Sequence, residues 1–221
     1  MSASSVTHST VTTTSTVSSV SSPLQKDEAQ AIKVLFVDCD GVLTDGRMIY
    51  VDRPTTAGGR DSFGEAAGTH YEAKAFHVRD GMACVLLRLA GLQVVLLTGE
   101  PSPAALRRAE KLKLDGMLLG IDDKVAAARQ WLDEHSLSLA EAAHVGDEVN
   151  DLGLMRAARL SFAPTDASPL VLREATVVSP VPGGQGVLRD IAYGLLAARD
   201  QLDDVVERYI AGERPASGTG T

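Results

Sequence analysis

The run Ile32-Lys-Val-Leu-Phe-Val-Asp38-Cys-Asp40-Gly-Val-Leu-Thr44-Asp45-Gly46 decides the fold and the chemistry expected of this chain. An apolar, β-branched stretch of strand length ends in two carboxylates one residue apart. Because side chains alternate along a strand, Asp38 and Asp40 are expected on one side, at the carboxyl end where open α/β sheets bind ligands. Such a pair suits a hard cation such as Mg²⁺, beside which an aspartate can attack phosphorus. For this motif alone, a solvated Asp-rich turn is the alternative.

Three further motifs supply the other parts of a phosphoryl-transfer site. A strand-like run ends in Thr98-Gly99, a lone Lys124 begins an amphipathic helix pattern, and a short apolar run leads into Asp147-Glu148-Val-Asn150-Asp151. Phosphoryl transfer needs a nucleophile, a metal, hydroxyl and amide donors for the phosphate oxygens, and a cation for developing charge. Each motif alone also has an ordinary explanation as a turn, a solvated lysine or a helix cap. Their joint occurrence in this order favours the catalytic interpretation.

With Phe76-His-Val-Arg79-Asp80-Gly81 and Gly183-Gly-Gln-Gly186, these motifs resemble the haloacid dehalogenase superfamily of aspartate-nucleophile phosphatases. Within that superfamily they are most similar to the capless sugar-acid phosphatase branch, and the resemblance covers about residues 32–200. Enzymes of this branch hydrolyse 3-deoxy-D-manno-octulosonate 8-phosphate or the 9-phosphates of nine-carbon, sialic-acid-type keto acids. The resemblance therefore implies a Mg²⁺-dependent phosphatase that acts through an aspartyl phosphate on a small phosphorylated sugar acid.

The resemblance also implies a role for each candidate residue. Asp38 is expected to be the nucleophile and a metal ligand, and Asp40 the general acid/base, which binds the metal through its backbone carbonyl. Asp147 is expected to complete the metal site. The expected phosphate-binding residues are Thr98, Gly99, Lys124 and Asn150, the expected supporting carboxylates are Glu148 and Asp151, and the expected substrate contacts are Glu100, Arg79, Lys74 and Lys111. Asp151 would orient Lys124 or a metal-bound water.

Two positions bear on metal geometry and substrate choice. Glu148 stands where the family often has the shorter Asp, which can shift a water-bridged contact because Mg²⁺ demands near-ideal octahedral distances. Glu100 stands where the octulosonate branch has Arg, whereas the nine-carbon branch has Glu followed by a segment that resembles Arg107-Arg-Ala-Glu-Lys111-Leu-Lys113. The alternatives are a carboxylate near a helix N-terminus and a solvated basic helix face. The joint match favours a nine-carbon substrate, with octulosonate 8-phosphate as the alternative.

Composition limits the class of protein. The chain has 221 residues, 44% of them hydrophobic, which is enough for one domain with a full core. A formal charge of −8 argues against nucleic acid and anionic membranes as partners. No apolar run reaches the roughly 18 residues of a membrane span. Two cysteines, Cys39 and Cys84, favour a reduced, cytoplasmic protein over a disulfide scaffold.

The chain is expected to divide into a disordered Ser/Thr-rich tail at 1–28, a phosphatase domain at 29–211 and a second tail at 212–221. Strand-like runs at 32–38, 92–98, 115–119, 142–146, 158–163 and 175–178 alternate with helical patterns near 80–90, 102–113, 123–135, 150–157, 168–174 and 186–210. This alternation predicts a Rossmann-like α/β fold, in which a mainly parallel sheet carries helices on both faces and there is no separate cap domain.

Residues 45–77 break this alternation and are expected to form a β-hairpin flap, with strands at Arg47–Val51 and His70–Phe76 and a tip at Arg53–Thr69. In similar phosphatases such a hairpin covers a neighbouring subunit's site within a homotetramer, which the resemblance implies here. A surface loop without a role is the alternative for the tip. Two other function classes stay open: a non-catalytic oligomerisation module of sialic acid activation, against which the intact acidic motifs argue, and a phosphatase of another higher-sugar or nucleoside acid.

Overall fold

The computed structural model describes residues 24–52 and 70–215. Over these ranges the chain forms a six-stranded, fully parallel sheet with helices on both faces, together with a two-stranded antiparallel hairpin. The expected α/β architecture is therefore confirmed, and the described residues include no separate cap domain.

The elements follow one another in a regular alternation of strands and helices. The parallel strands are β1 (Val34–Val37), β4 (Gln93–Thr98), β5 (Gly116–Leu119), β6 (Ala142–Val145), β7 (Leu160–Ala163) and β8 (Val177–Val178); the hairpin consists of β2 (Ile49–Asp52) and β3 (His70–Ala73). The helices are α1 (Lys26–Ala31), α2 (Val78–Leu89), α3 (Pro103–Leu112), α4 (Lys124–Glu134), α5 (Leu152–Ala157), α6 (Pro169–Glu174), α7 (Val187–Ala198) and α8 (Leu202–Ile210).

Strand β1 shows why the sheet is covered on both faces. All four of its residues are buried, and successive side chains point to opposite sides. Leu35 and Val37 pack into the larger core beneath α1, α2, α3, α7 and α8, while Val34 and Phe36 pack with α4 and α5. A strand buried on both faces is expected to be continuously apolar, as this one is.

The order of the strands in the sheet determines where a ligand-binding crevice forms. In the sheet order β5-β4-β1-β6-β7-β8, the strand β1 lies between β4 and β6, and the chain changes direction across the sheet at this point. Such a switch point opens a crevice at the carboxyl ends of the strands, where ligands bind in open α/β sheets. Asp38 follows β1 directly, and one residue, Gly146, separates Asp147 from the end of β6, so both reach this crevice.

Two helical boundaries differ from the expectation. Residues 186–210 form two helices rather than one, because Asp200 adopts a left-handed backbone conformation with φ 55° that ends α7 and turns the chain into α8. Helix α1 begins at Lys26, inside the segment 1–28 that was expected to be disordered; its Ala29 is buried in the core and the Arg199 guanidinium donates to the Ala29 carbonyl at 2.7 Å. Packing against α7 therefore extends the ordered domain toward the N-terminus.

Some expectations concern residues outside the described ranges. The hairpin tip Arg53–Thr69, residues 1–23 of the first tail and residues 216–221 of the second lie there. The hairpin itself is present, with β2 and β3 paired antiparallel over four residues each. Within 24–52 and 70–215, every helix is too short or too polar to cross a membrane.

Candidate active site

The loop after β1 presents the first two carboxylates. Asp38 is buried, and its Oδ1 accepts a hydrogen bond from the Cys39 N–H at 2.8 Å, which fixes the carboxylate at the strand end. Gly41 then turns with φ +80°, and a Cβ there would lie 1.9 Å from Oδ2 of Asp147. Only glycine satisfies both the left-handed conformation and this close approach, so the loop can bring the two aspartates together.

Lys124 supplies the cation next to the expected nucleophile. It is the first residue of α4, after Asp123, whose side chain accepts from the Ala126 N–H and caps the helix. The Lys124 Nζ lies 3.1 Å from Oδ2 of Asp38 and 2.6 Å from Oδ1 of Asp151. Burial acts to lower the pKa of Lys124, but the charges of the two carboxylates raise it above its ordinary value. Lys124 is therefore an ammonium although it is buried.

Asp151 is fully committed to its protein partners. Its Oδ1 contacts the Lys124 ammonium and lies 2.8 Å from His144 Nε2. Its Oδ2 accepts hydrogen bonds from the backbone N–H groups of Asp147 and Glu148, at 3.1 and 3.3 Å. Burial alone would raise the pKa of Asp151, but the hydrogen bonds and charges of His144 and Lys124 hold it well below its usual range. A carboxylate has about four acceptor positions, and here all four are in use.

The acidic cluster fits a divalent cation. Oxygens of Asp38, Asp147 and Asp151 lie within 4.8 Å of one another. Because Asp151 is saturated by donors, Asp38 and Asp147 are the carboxylates left to ligate an ion. Oδ1 of Asp147 is buried without a hydrogen-bond partner among the residues that the structure describes. Burial, together with the charges of Asp38 and Asp151, raises the pKa of Asp147 to about 7. A carboxylate oxygen that is free of hydrogen bonds to the described residues and lies near other carboxylate oxygens is well suited to bind Mg²⁺, which prefers oxygen ligands.

A pocket of about 440 Å³ opens over this cluster. Its wall contains eight of the residues predicted from the sequence, together with Gly41 and Gly46: Asp38, Asp40, Thr98, Gly99, Glu100, Asp147, Glu148 and Asn150. The Thr98 side chain is buried at the end of β4, where its hydroxyl accepts from the Glu100 N–H at 3.3 Å. Glu148 lies at the rim and its carboxylate accepts from the Val149 N–H.

Three predicted substrate contacts lie outside the pocket wall. Arg79 is exposed in the first turn of α2, and Lys111 is exposed in the last turn of α3. The Lys74 ammonium contacts both carboxylate oxygens of Asp40, at 2.6 and 2.7 Å, and its side chain has no exposed surface. Lys74 is therefore engaged by the expected acid/base, and the substrate roles of these three residues stay predictions.

The contact of Lys74 is part of a connection between the hairpin and two active-site loops. Lys74 directly follows β3, and its ammonium also lies 3.4 Å from Oε1 of Glu72 within that strand. The same Glu72 oxygen accepts from the hydroxyl of Ser102, the residue that caps the N-terminus of α3. The hairpin base thus contacts the loop after β1 through Asp40 and the loop after β4 through Ser102.

Two parts of the site were not predicted from the sequence: a glycine-rich loop and a buried histidine. The loop Gly183–Gly186 packs on the loop after β1, since a Cβ on Gly183 would lie 1.9 Å from the Gly41 carbonyl oxygen. It was noted only as part of a resemblance. His144, fully buried in β6, contacts Asp151 and the Phe36 carbonyl. Its one sequence signal is a polar residue within a strand that is otherwise buried and apolar.

Comparison with known proteins gives a consistent picture. Residues 120–191 match the family model of the haloacid dehalogenase-like hydrolases. The chain is 31% identical over 183 residues to the 3-deoxy-D-manno-octulosonate 8-phosphate phosphatase KdsC of Salmonella typhimurium, covering 83% of this chain and 89% of that protein.

Two solved structures agree with this relationship. The phosphatase of the same name from Moraxella catarrhalis, in complex with a magnesium ion, a phosphate ion and a KDO molecule, superposes with a TM-score of 0.71 at 26% identity, covering 83% of this chain and 97% of that one. The cobalt-bound deoxy-D-mannose-octulosonate 8-phosphate phosphatase from Haemophilus influenzae gives 0.69 at 30% identity, covering 83% and 99%. The chain therefore belongs to the haloacid dehalogenase-like hydrolases, in the capless branch typified by 3-deoxy-D-manno-octulosonate 8-phosphate phosphatase, and is a phosphoric monoester hydrolase.

Proposed function

We propose that this chain hydrolyses a phosphorylated keto-deoxy sugar acid in a Mg²⁺-dependent reaction that passes through an aspartyl phosphate on Asp38. The observation that carries the proposal is the convergence of three groups at one acidic cluster. The Asp38 carboxylate lies 3.1 Å from the Lys124 ammonium, and Asp147 Oδ1, which has no hydrogen-bond partner within residues 24–52 and 70–215, belongs to the same acidic cluster. Nucleophile, phosphate-binding cation and metal-binding oxygen are the minimum set for this chemistry.

The carboxylates of Asp38 and Asp147, with the backbone carbonyl of Asp40, are the groups that would hold Mg²⁺. When bound, the ion neutralises carboxylate charge and polarises the phosphoryl oxygens. This explains why two carboxylates whose pKa values are raised by burial lie side by side in the site.

In the first half-reaction, an Asp38 oxygen attacks the phosphorus of the monoester and the bond from phosphorus to the sugar oxygen breaks. Asp40 donates a proton to that leaving oxygen, which departs as the sugar hydroxyl. Lys124, the Thr98 hydroxyl, the Gly99 amide and Asn150 bind the phosphoryl oxygens. Donors fixed in advance stabilise the charge that develops in the transition state.

In the second half-reaction, Asp40 accepts a proton from a water molecule that attacks the phosphorus of the aspartyl phosphate. The bond between Asp38 and phosphorus breaks, and inorganic phosphate leaves.

The nine-carbon 9-phosphate is our favoured substrate because Glu100 lies in the pocket wall, two residues after Thr98. Its carboxylate can accept hydrogen bonds from sugar hydroxyls, whereas an arginine there would pair with the substrate carboxylate. Lys111 is exposed in the last turn of α3, roughly 12 Å along the helix from Pro103, and we propose that it acts across a subunit contact. We accordingly propose that the active species is a homotetramer, and that it acts in the cytoplasm.

The eight-carbon 3-deoxy-D-manno-octulosonate 8-phosphate is the second candidate, supported by the names of the relatives. A phosphate of another higher-sugar or nucleoside acid uses the same chemistry. The alternative of a non-catalytic oligomerisation module is disfavoured by the intact set of Asp38, Asp40, Lys124 and Asp147.

The test is phosphate release from a panel with Mg²⁺ and with EDTA, containing both sugar-acid phosphates and p-nitrophenyl phosphate. We expect Mg²⁺-dependent turnover with a higher kcat/KM for the nine-carbon substrate than for the eight-carbon one. Glu100→Arg should reverse that preference and leave the small ester largely unaffected. Faster turnover of the eight-carbon substrate by the wild type would contradict the substrate assignment alone, and activity in EDTA would contradict the metal-dependent mechanism.

A further inference from the structure

His144 is a buried titratable residue that the reaction scheme does not use. It lies in β6, where it pairs in register with Phe36 of β1, and its side chain has no exposed surface. The ring nitrogens contact two different groups: Nδ1 lies 3.2 Å from the carbonyl oxygen of Phe36, and Nε2 lies 2.8 Å from Oδ1 of Asp151. The ring thus lies beneath the site, between the sheet and the carboxylate that holds Lys124.

The partners of His144 determine its hydrogen atoms. Asp151 is an acceptor at both of its oxygens, since Lys124 donates to Oδ1 and two backbone N–H groups point at Oδ2. A neutral Asp151 would turn an O–H group toward one of these donors. Nε2 is therefore the donor in the contact between His144 and Asp151.

We propose that His144 is a positioning residue: by donating a hydrogen bond from Nε2 beneath the site, it anchors Asp151 and thereby aims the Lys124 ammonium at Asp38 and the phosphoryl group. The role of Lys124 as the phosphate-binding cation rests on the proposed function. The anchoring itself rests on the contacts of His144, Asp151 and Lys124 alone.

The hydrogen bonds around Asp151 support this role. Within residues 24–52 and 70–215, the Lys124 ammonium lies close to the carboxylates of both Asp38 and Asp151. His144 Nε2 lies 2.8 Å from the same Asp151 oxygen that Lys124 contacts. Without the His144 donor, this buried oxygen would have an unmet acceptor position and would draw the ammonium inward. A buried acceptor without a donor is costly, so less of the ammonium would be directed at a phosphoryl group.

The donor nitrogen of His144 can be identified without any substrate. In protein labelled with ¹⁵N at its five histidines, long-range ¹H–¹⁵N correlation spectra should show a proton on Nε2 of His144. The His144→Gln spectrum assigns the signal by its loss. A His144 ring without a proton on Nε2 would overturn the proposal.

The positioning role is tested by calorimetric titration of inorganic phosphate into the Mg²⁺-loaded protein. His144→Gln keeps an amide donor in place of Nε2, so its phosphate affinity should stay within about threefold of the wild type. His144→Phe keeps the ring volume but donates nothing, and its affinity should fall by about tenfold or more, the size of a lost hydrogen bond to a charged group. His135→Gln is the matched control, because His135 is exposed at the end of α4 and stacks on Trp131.

Equal affinities for His144→Phe and the wild type, or equal losses in the Gln and Phe variants, would overturn the positioning role. If the Phe variant does not fold, His144→Asn replaces it, since the shorter amide takes the place of Nδ1 and not of Nε2. Phosphate binding and the nitrogen spectra do not depend on which ester is hydrolysed. A protein that hydrolyses no sugar-acid phosphate would therefore contradict the proposed function and leave this inference to be decided by its own measurements.

Discussion

At the scale of single residues, Asp147 is a site residue whose negative charge is unfavourable in the metal-free protein. Its Oδ1 is buried without a partner among the described residues, and its pKa is raised to about 7 by burial and by two neighbouring carboxylates. Such an arrangement destabilises the folded protein unless a cation binds it. The same buried carboxylate that lowers the stability of the metal-free protein would therefore favour the binding of a metal ion.

Replacing Asp147 with alanine should abolish Mg²⁺-dependent hydrolysis, because the carboxylate oxygen that we assign to the metal is lost. The melting temperature of the metal-free protein should stay level or rise, because one of three mutually repelling carboxylates is gone. Thermal melts in EDTA and activity with added Mg²⁺ check both parts. A variant that keeps normal Mg²⁺-dependent activity would refute the assignment of this ligand.

The same carboxylate predicts a pH dependence of stability. The pKa of Asp147 is about 7 in the folded protein against 3.8 for an ordinary Asp, so the folded state retains a proton that the unfolded state releases. This contribution is fully present below about pH 4 and is lost as the pH rises through about 7. In EDTA, the melting temperature of the wild type relative to Asp147→Ala should fall across this window. A difference that stays constant with pH would show that Asp147 titrates normally.

The sequence predicted those site residues that lie at or just after the ends of strands. Asp38, Thr98 and Asp147 could be found because the carboxyl ends of parallel strands meet at one edge of the sheet. The roles of His144 and Lys74 could not be found this way. His144 meets Asp151 only because β6 pairs with β1 at a particular register, and Lys74 meets Asp40 only because the hairpin folds back on the loop after β1.

At the scale of secondary-structure elements, the hairpin base is tied to the catalytic loop by Lys74. Lys74→Met removes the ammonium from both Asp40 oxygens and should lower kcat for a sugar-acid phosphate by roughly tenfold, the typical effect of losing a hydrogen bond to a charged group. Lys74→Arg should recover part of the loss. Steady-state kinetics on both variants provide the measurement, with Lys33→Met, at an exposed position before β1, as the control. An unchanged kcat in Lys74→Met would show that the ion pair does not contribute to catalysis.

The bounds of the strands and helices show which structural features the spacing of apolar residues can predict. The strand expected at 92–98 is Gln93–Thr98 and the helix expected at 123–135 is Lys124–Glu134, because apolar spacing and caps define both. The prediction of one continuous helix over residues 186–210 was wrong. The apolar pattern runs through both α7 and α8, whereas the break depends on the backbone of Asp200, a residue that hydrophobic spacing does not mark.

At the scale of the whole molecule, the alternation of strands and helices predicted a parallel sheet but not its strand order. That order depends on which strands pair across the sheet, and it places β1 between β4 and β6. Beside the pocket, the hairpin leaves Met48, Ile49 and Tyr50 exposed by 40, 46 and 67% of their surface. Adjacent exposed apolar side chains of this kind are typical of protein–protein contacts.

We therefore expect an oligomer, most simply the proposed tetramer, in light scattering at assay concentration. Tyr50→Glu should weaken assembly and raise KM for the sugar-acid phosphate more than for p-nitrophenyl phosphate, because the part of the substrate away from phosphorus loses its cover. Ile210→Glu, on an exposed apolar residue of α8, is the control. A monomer with full activity would contradict this arrangement.

In the proposed mechanism, Asp38 forms a covalent bond to phosphorus. The most direct measurement is rapid acid quenching of the Mg²⁺-loaded enzyme with a ³²P-labelled sugar-acid phosphate, followed by treatment of the labelled protein with hydroxylamine. We expect a protein-bound label that hydroxylamine releases, as for an acyl phosphate. Asp38→Asn should carry no label, and its turnover should fall by at least about 10³-fold. Rapid turnover without any labelled protein, or Asp38→Asn that turns over like the wild type, would contradict this mechanism.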